Sequence, residues 1–217
     1  KLMSWTYTTL KSAIQDYTEN TETTFVDDLS IIIKQAEQRI LDSVQLPVFR
    51  KNQTGTLTAS NSYLATPTDF LYPYSLAVLN SDSEYVYLLN KDVNFIREAY
   101  PSSSTTGLPV HYSQFDNSFF LVGPTPDAAY TVEVHYFYRP QSITETSDGT
   151  SWLGTNAPDC LLYGSLLEAY TFMKGEPDVI NLYDKRYKES LQQLMIQGDG
   201  RDRKDAYRSG QTRIEGV

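Results

Sequence analysis

Tyr130-Thr131-Val132-Glu133-Val134-His135-Tyr136-Phe137-Tyr138 is the stretch on which the fold turns. Its side chains alternate, so Val132, Val134, Tyr136 and Tyr138 share one face of an extended chain with period two. Pro140 closes the strand. Upstream, Thr54-Gly55-Thr56-Leu57-Thr58 alternates in the same way. Leu76–Leu79 and Tyr85–Leu89 read as strands around an Asn80-Ser81-Asp82-Ser83 turn. Val93–Tyr100 predicts a short helix between strands. Phe119–Val122 predicts a buried strand stopped by Gly123-Pro124-Thr125-Pro126. Several short strands with frequent turns define a small antiparallel sheet or sandwich.

Outward from this centre the period changes from two to between three and four. Thr6 can cap a helix carrying Tyr7, Leu10, Ile14 and Tyr17, ended at Asn20-Thr21. A longer helix follows Thr24, with Asp27 and Asp28 in its first turn, where the macrodipole favours acids. Phe25, Leu29, Ile32, Ala36, Ile40 and Val44 form its apolar face, and Pro47 ends it. On the other side Asn156 reads as a cap, with Pro158 and Asp159 in the first turn. Leu162, Leu166, Ala169, Tyr170 and Met173 make one stripe; Ile180, Tyr183, Tyr187, Leu191 and Leu194 make a second. Gly175-Glu176-Pro177 joins them as an antiparallel hairpin, and Gly198 and Gly200 read as the last helix stop.

The expected class is therefore α+β: an antiparallel helical bundle from N- and C-terminal helix pairs, an inserted antiparallel β domain, and an extended C-terminal arm. The bounds are residues 1–50 and 151–200 for the two halves of the bundle, 51–150 for the β domain, and 201–217 for the arm.

Charge follows the same divisions. Of 18 basic and 27 acidic residues, residues 51–150 hold four and ten, a net of -6. Residues 201–217 hold five and three, a net of +2, against -9 for the whole chain. Such an acidic body argues against nucleic-acid coating. Ten of the 17 tyrosines lie in residues 51–150. Tyrosine suits pleated, half-buried surfaces and subunit contacts; a glycan- or base-stacking platform is the competing use. No apolar run reaches the roughly 18 residues of a membrane helix, and the opening Lys1–Trp5 has no signal-peptide h-region.

Catalytic signals are sparse. One cysteine excludes an intrachain disulfide framework and a thiolate zinc cluster. Cys160 falls in a first helical turn, where a thiol pKa can fall, yet no histidine accompanies it and packing is the better reading. His111 and His135 lie in no metal-ligand spacing. Asp82 with Glu84, and Glu145 with Asp148, are candidate acid–base pairs, but each sits in a polar turn. A wall hydrolase using Glu133, Glu145 and Asp148, or a lectin using the tyrosines, is the enzyme-or-binder alternative. No phosphate loop or nucleophile elbow is present, and the sequence calls for no cofactor or metal. Arg201, Arg203, Lys204, Tyr207, Arg208 and Arg213 in the basic tail read as a docking arm that orders on a partner.

The chain resembles the head-to-tail adaptor (connector or neck) proteins of tailed bacteriophages over nearly its whole length. The resemblance rests on Trp5–Leu10, Tyr17–Asn20 with Thr24-Phe25-Val26, Gln45–Arg50, Tyr63–Phe70, Val93–Pro101, Tyr136–Pro140, Ser151–Gly154 and Glu168–Gly175. None of these is a catalytic signature. The resemblance implies a structural virion protein, made in the host cytoplasm and placed at the neck. It implies a ring, usually of twelve subunits, beneath the portal protein and continuing the DNA channel. Partners would be the portal, through the tail positions named above, other copies of itself, and tail or neck proteins such as a tail tube, nozzle or tail fibres. DNA would pass without specific binding, and no membrane is involved. A tail-proximal stopper or terminator ring is the structural alternative.

Overall fold

The computed structural model describes the backbone of residues 4–202 and the side chains of residues 4–198. In chain order it holds α1 (Tyr7–Thr18), α2 (Thr23–Ser43), a 3-10 turn (Pro47–Phe49), β1 (Arg50–Leu57), β2 (Tyr63–Ala65), β3 (Phe70–Leu79), β4 (Tyr85–Tyr87) and β5 (Leu89–Asn90). Then come α3 (Val93–Ala99), β6 (Thr106–Gly107), β7 (His111–Gln114), β8 (Phe119–Gly123), β9 (Thr125–Pro126), β10 (Tyr130–Tyr138), α4 (Trp152–Asn156), α5 (Pro158–Phe172) and α6 (Pro177–Asp202). The class is α+β. Two compact units divide it: one takes the described residues up to Pro47 and from Gln141 onward, the other is Val48–Pro140.

The helical unit is organised around α5, which packs against α1, α2, α4 and α6. Cys160, Leu161, Leu162, Gly164, Ser165, Leu166, Leu167 and Ala169 are all buried. The single stripe expected for this helix is thus too narrow, because a helix with neighbours on every side is apolar nearly all round. α6 runs back along it. Tyr170 and Tyr183 stack with centroids 5.2 Å apart, and Tyr163 and Tyr183 stack at 6.5 Å.

At the start of α1 the Thr6 hydroxyl accepts from the Thr9 N–H at 3.2 Å, and the Thr6 N–H donates to the Thr9 hydroxyl at 2.9 Å. This reciprocal cap satisfies two amides that the first turn leaves open. Every residue of the predicted α2 face is buried, together with Ile33 and Glu37. The helix begins at Thr23, however, so Asp27 and Asp28 lie beyond its first turn.

Three boundary expectations in this unit are corrected. Asn156 does not cap α5; it ends α4, its side-chain amide donating to the Trp152 carbonyl at 3.0 Å, while Ser151 caps α4 and Pro158 opens α5. Gly198 and Gly200 do not stop α6, which runs to Asp202. A Cβ on Gly198 would stand 2.6 Å from the Leu46 Cδ2, so this glycine marks a close approach rather than an end. Consequently the backbone of Arg201 is helical.

Residues 141–150, which the texture of the sequence places with the central segment, group with the helices. The Lys34 ammonium meets Glu145 at 2.7 Å. The Tyr7 N–H donates to the Gly149 carbonyl at 2.7 Å, and the Trp5 N–H to the Gly154 carbonyl at 2.8 Å.

The β unit is a two-sheet sandwich. The first sheet has order β1-β10-β3-β4 with every pair antiparallel. The second has order β2-β8-β7-β5. Val132, Val134 and Tyr136 of β10 meet Leu57, Leu64, Leu76, Val78, Tyr112, Phe120 and Val122 in one apolar core.

The expectation of a purely antiparallel β domain is corrected, because β5 pairs with β7, and β6 with β9, in parallel. A parallel pair needs a crossover of a dozen or more residues, and α3 lies in the one joining β5 to β7. β3 also begins earlier than predicted, at Phe70. Pro73 has no N–H for the ladder and sits where the register slips between His135 and Tyr136, as a strand proline at a bulge should.

Candidate functional site

With one face of each sheet in the core, alternation turns the other face outward. On the first sheet that outward face is a shelf of rings. Tyr72, Tyr74, Tyr85 and Tyr87 are 57, 51, 55 and 67% exposed. The Arg50 guanidinium lies 4.2 Å from the Tyr74 ring centroid and 5.1 Å from that of Phe137. His135 meets the edge of Tyr74 at 5.1 Å. Among these rings, the Glu133 carboxylate takes hydrogen bonds from the Asn52 amide and the Tyr85 hydroxyl. These bonds hold the Glu133 carboxyl below its ordinary range, and the same contact pushes Tyr85 up.

The second sheet presents a smaller shelf. Tyr63 contacts Phe115 at 5.3 Å and Phe119 at 6.3 Å, both edge-on. The Arg97 guanidinium of α3 donates to the Tyr63 hydroxyl at 2.8 Å. α3 covers the rest of this face: Phe95 lies 5.3 Å from His111, and the Tyr100 hydroxyl shares a 3.0 Å hydrogen bond with His111 Nδ1.

The remaining tyrosines of the β unit include core residues. Tyr112 and Tyr136 are buried. The Tyr136 hydroxyl donates to Asp69 at 2.7 Å, and Lys51 meets the other oxygen of Asp69 at 2.5 Å. Burial first, and then the Asp69 carboxylate, pushes Tyr136 up to about 12. Burial alone would raise Asp69, but the Lys51 and Tyr136 hydrogen bonds outweigh it and hold Asp69 low. Sequence reading did not single out this trio. Its members are far apart in the chain, and only the Tyr136 strand period hinted that the ring points inward.

The candidate carboxylates sit in local turns and pairs. Asp82 and Glu84 belong to a turn closed by the Asn80 side chain, which accepts from both their amides at 2.9 and 2.8 Å. Glu145 pairs with Lys34. Asp148 accepts from the Thr150 hydroxyl at 2.7 Å and the Thr150 N–H at 3.1 Å, which lower its pKa.

Cys160 is buried, and burial pushes its thiol up to about 11. That reverses the direction a first helical turn suggests: desolvation outweighs the helix end. Among the described residues no group of three or more His, Cys, Asp and Glu side chains is placed to hold a metal ion. None of the described helices is long and apolar enough to cross a membrane. Of the tail candidates, Arg201 is placed by its backbone in α6. Arg203, Lys204, Tyr207, Arg208 and Arg213 lie outside the described residues.

The family model described as SU10 adaptor protein matches residues 5–214. The chain belongs to the SU10 adaptor protein family, and that membership supports a structural adaptor role in a bacteriophage particle. No curated protein matches it.

Proposed function

We propose that the chain is a head-to-tail adaptor, one subunit of a dodecameric ring beneath the portal that links capsid to tail and continues the DNA channel. The observation that carries this reading is the family match over residues 5–214. In it, the helices form the bundle, the β unit is an insertion, and the basic C-terminal segment is an arm that reaches the portal through Arg201, Arg203, Lys204, Tyr207, Arg208 and Arg213.

Charge supports the channel role. Phosphate contacts are strong and salt-sensitive. A subunit of net charge -9 avoids them, and twelve copies would total roughly -108. The adaptor does no chemistry of its own, in keeping with the local engagement of Glu133, Glu145 and Asp148.

The test is reconstitution with portal protein followed by negative-stain imaging. Added ring density beneath the portal is the expected result; portal that never binds the chain, even in particles, ends the proposal. Removal of residues 201–217 should weaken attachment while leaving the fold intact, and an unchanged complex would remove the arm.

One observation favours a second reading. The exposed tyrosines of the first sheet also suit a glycan platform, which a glycan array would show directly.

A further inference from the structure

The β unit, Val48–Pro140, interrupts the helical unit in the chain. We propose that it is an autonomous folding module: it opens and closes as a cooperative unit of its own, while the helical unit keeps its structure with residues 48–140 as a tethered loop. This inference concerns the cooperativity of the chain and stands apart from the ring reading above.

Three observations carry it. The first is that each unit encloses a core of its own. Leu57, Leu76, Val78, Phe120, Val132 and Tyr136 belong to one apolar cluster whose members all lie within the β unit. In the helical unit α5 packs against α1, α2, α4 and α6. Many domains of roughly 55–65 residues fold alone, and Val48–Pro140 is longer than that.

The second is that the β unit closes on its own ends. Arg50, which opens β1, is the register partner of Phe137 near the end of β10, and the pairing continues to Leu57 and Tyr130. Phe49 meets the Tyr138 ring edge-on at 6.3 Å. The entry and exit of the unit are therefore held by each other. Neighbouring ends are the arrangement that lets one domain be inserted in another.

The third is that the helical unit fixes both points where its chain is interrupted. Before the insertion, the Val44 N–H donates to the Ile40 carbonyl at 3.1 Å, and Leu46 is buried where α6 comes close at Gly198. After it, Ile143 is buried and its N–H is bound by Glu37 of α2. These anchors use only residues of the helical unit. The entropy of closing a loop between fixed points grows only logarithmically with its length, so such a scaffold tolerates an opened insertion.

The full chain carries a natural probe for the test. Its two tryptophans, Trp5 and Trp152, both belong to the helical unit. Tryptophan fluorescence over a urea series is combined with hydrogen exchange read by mass spectrometry on peptides from α2 and β10. One variant carries Leu166→Ala in α5 and the other Leu57→Ala in β1; both leucines are fully buried.

Leu166→Ala should speed α2 exchange at least about tenfold and lower the tryptophan midpoint, leaving β10 exchange within about twofold of the parent. Leu57→Ala should do the reverse, speeding β10 exchange and leaving α2 exchange and the tryptophan midpoint in place. Where a variant unfolds its own unit outright, protection of the other unit should persist. Either variant speeding α2 and β10 exchange by comparable factors, or stripping protection from both units at once, would overturn the proposal and show one cooperative fold.

Discussion

The Ile143 N–H donates to both carboxylate oxygens of Glu37, at 3.0 and 3.2 Å. This pair ties the middle of α2 to the segment that returns the chain to the helical unit. Ile143 and Glu37 are both buried. The Ser142 and Ser151 hydroxyls also bond this carboxyl and lower its pKa, but burial is the larger effect and raises it, with Glu145 pushing the same way. A buried amide left without an acceptor costs about 1–3 kcal/mol. Glu37→Ala should therefore lose stability on that scale in urea denaturation, while Glu37→Gln, which keeps an acceptor, should lose less.

The same group predicts a pH dependence. A carboxyl whose folded pKa exceeds its unfolded value binds its proton more tightly in the native state. Its stabilising contribution is full below about 4.5, the unfolded value, and is lost as pH rises through the raised folded value. Asp69 has the opposite sign: held below its ordinary 3.8, it stabilises at neutral pH and loses that contribution as pH falls through its folded value. In melting profiles, Glu37→Gln should flatten the decline above pH 4.5, and Asp69→Asn should flatten the acid limb below it. Unchanged profiles would contradict both assignments.

Gly123 is a packing requirement of the β unit. A Cβ there would fall 2.6 Å from the Tyr100 ring and 2.9 Å from Ile96, both in the α3 segment. Gly123→Ala should cost about 1–3 kcal/mol through overpacking. Combining it with Tyr100→Ala should cost less than the sum of the two single changes, because the ring that collides is gone. Additive losses in a double-mutant cycle would contradict the contact.

Cys160 should behave as an inert thiol. Buried, with its pKa pushed up to about 11, it offers almost no thiolate at neutral pH. An aromatic disulfide reagent should leave the native protein unmodified for hours and titrate one thiol in denaturant. Rapid labelling of the native chain would show that α5 is more open than described.

Much of this fold was legible in the sequence because single periods carry it. Period two in Val132, Val134 and Tyr136, and the three-to-four spacing from Phe25 to Val44, each place a buried face without knowledge of the partner. What was missed depended on distant residues. Gly198 looked like a helix stop because its reason, the approach of Leu46, lies far away in the chain. Lys174, not the adjacent Gly175, takes the left-handed conformation after α5 at φ 55°; Gly175 is small because a Cβ would meet the Tyr170 ring at 2.8 Å. Pro73 obscured the first half of β3, since a proline argues against a strand until a bulge is known to hold it.

The shelves were half legible. Tyrosine counts located them in the central segment, but which rings face inward, as Tyr136 does, and which outward, as Tyr72 and Tyr87 do, followed only from the pairing register. Glu133 and Glu145 looked like candidate acids and bases because their partners, Asn52 and Lys34, are far away in the chain.

The central claim is that this chain is a structural subunit at the junction of capsid and tail. Cryo-electron microscopy of the neck in intact particles tests it most directly. The account predicts a closed ring directly beneath the portal into which the helical and β units each fit, repeated around the channel axis. Particles whose portal meets the tail without this chain, or whose density for it lies elsewhere in the tail, would contradict the account.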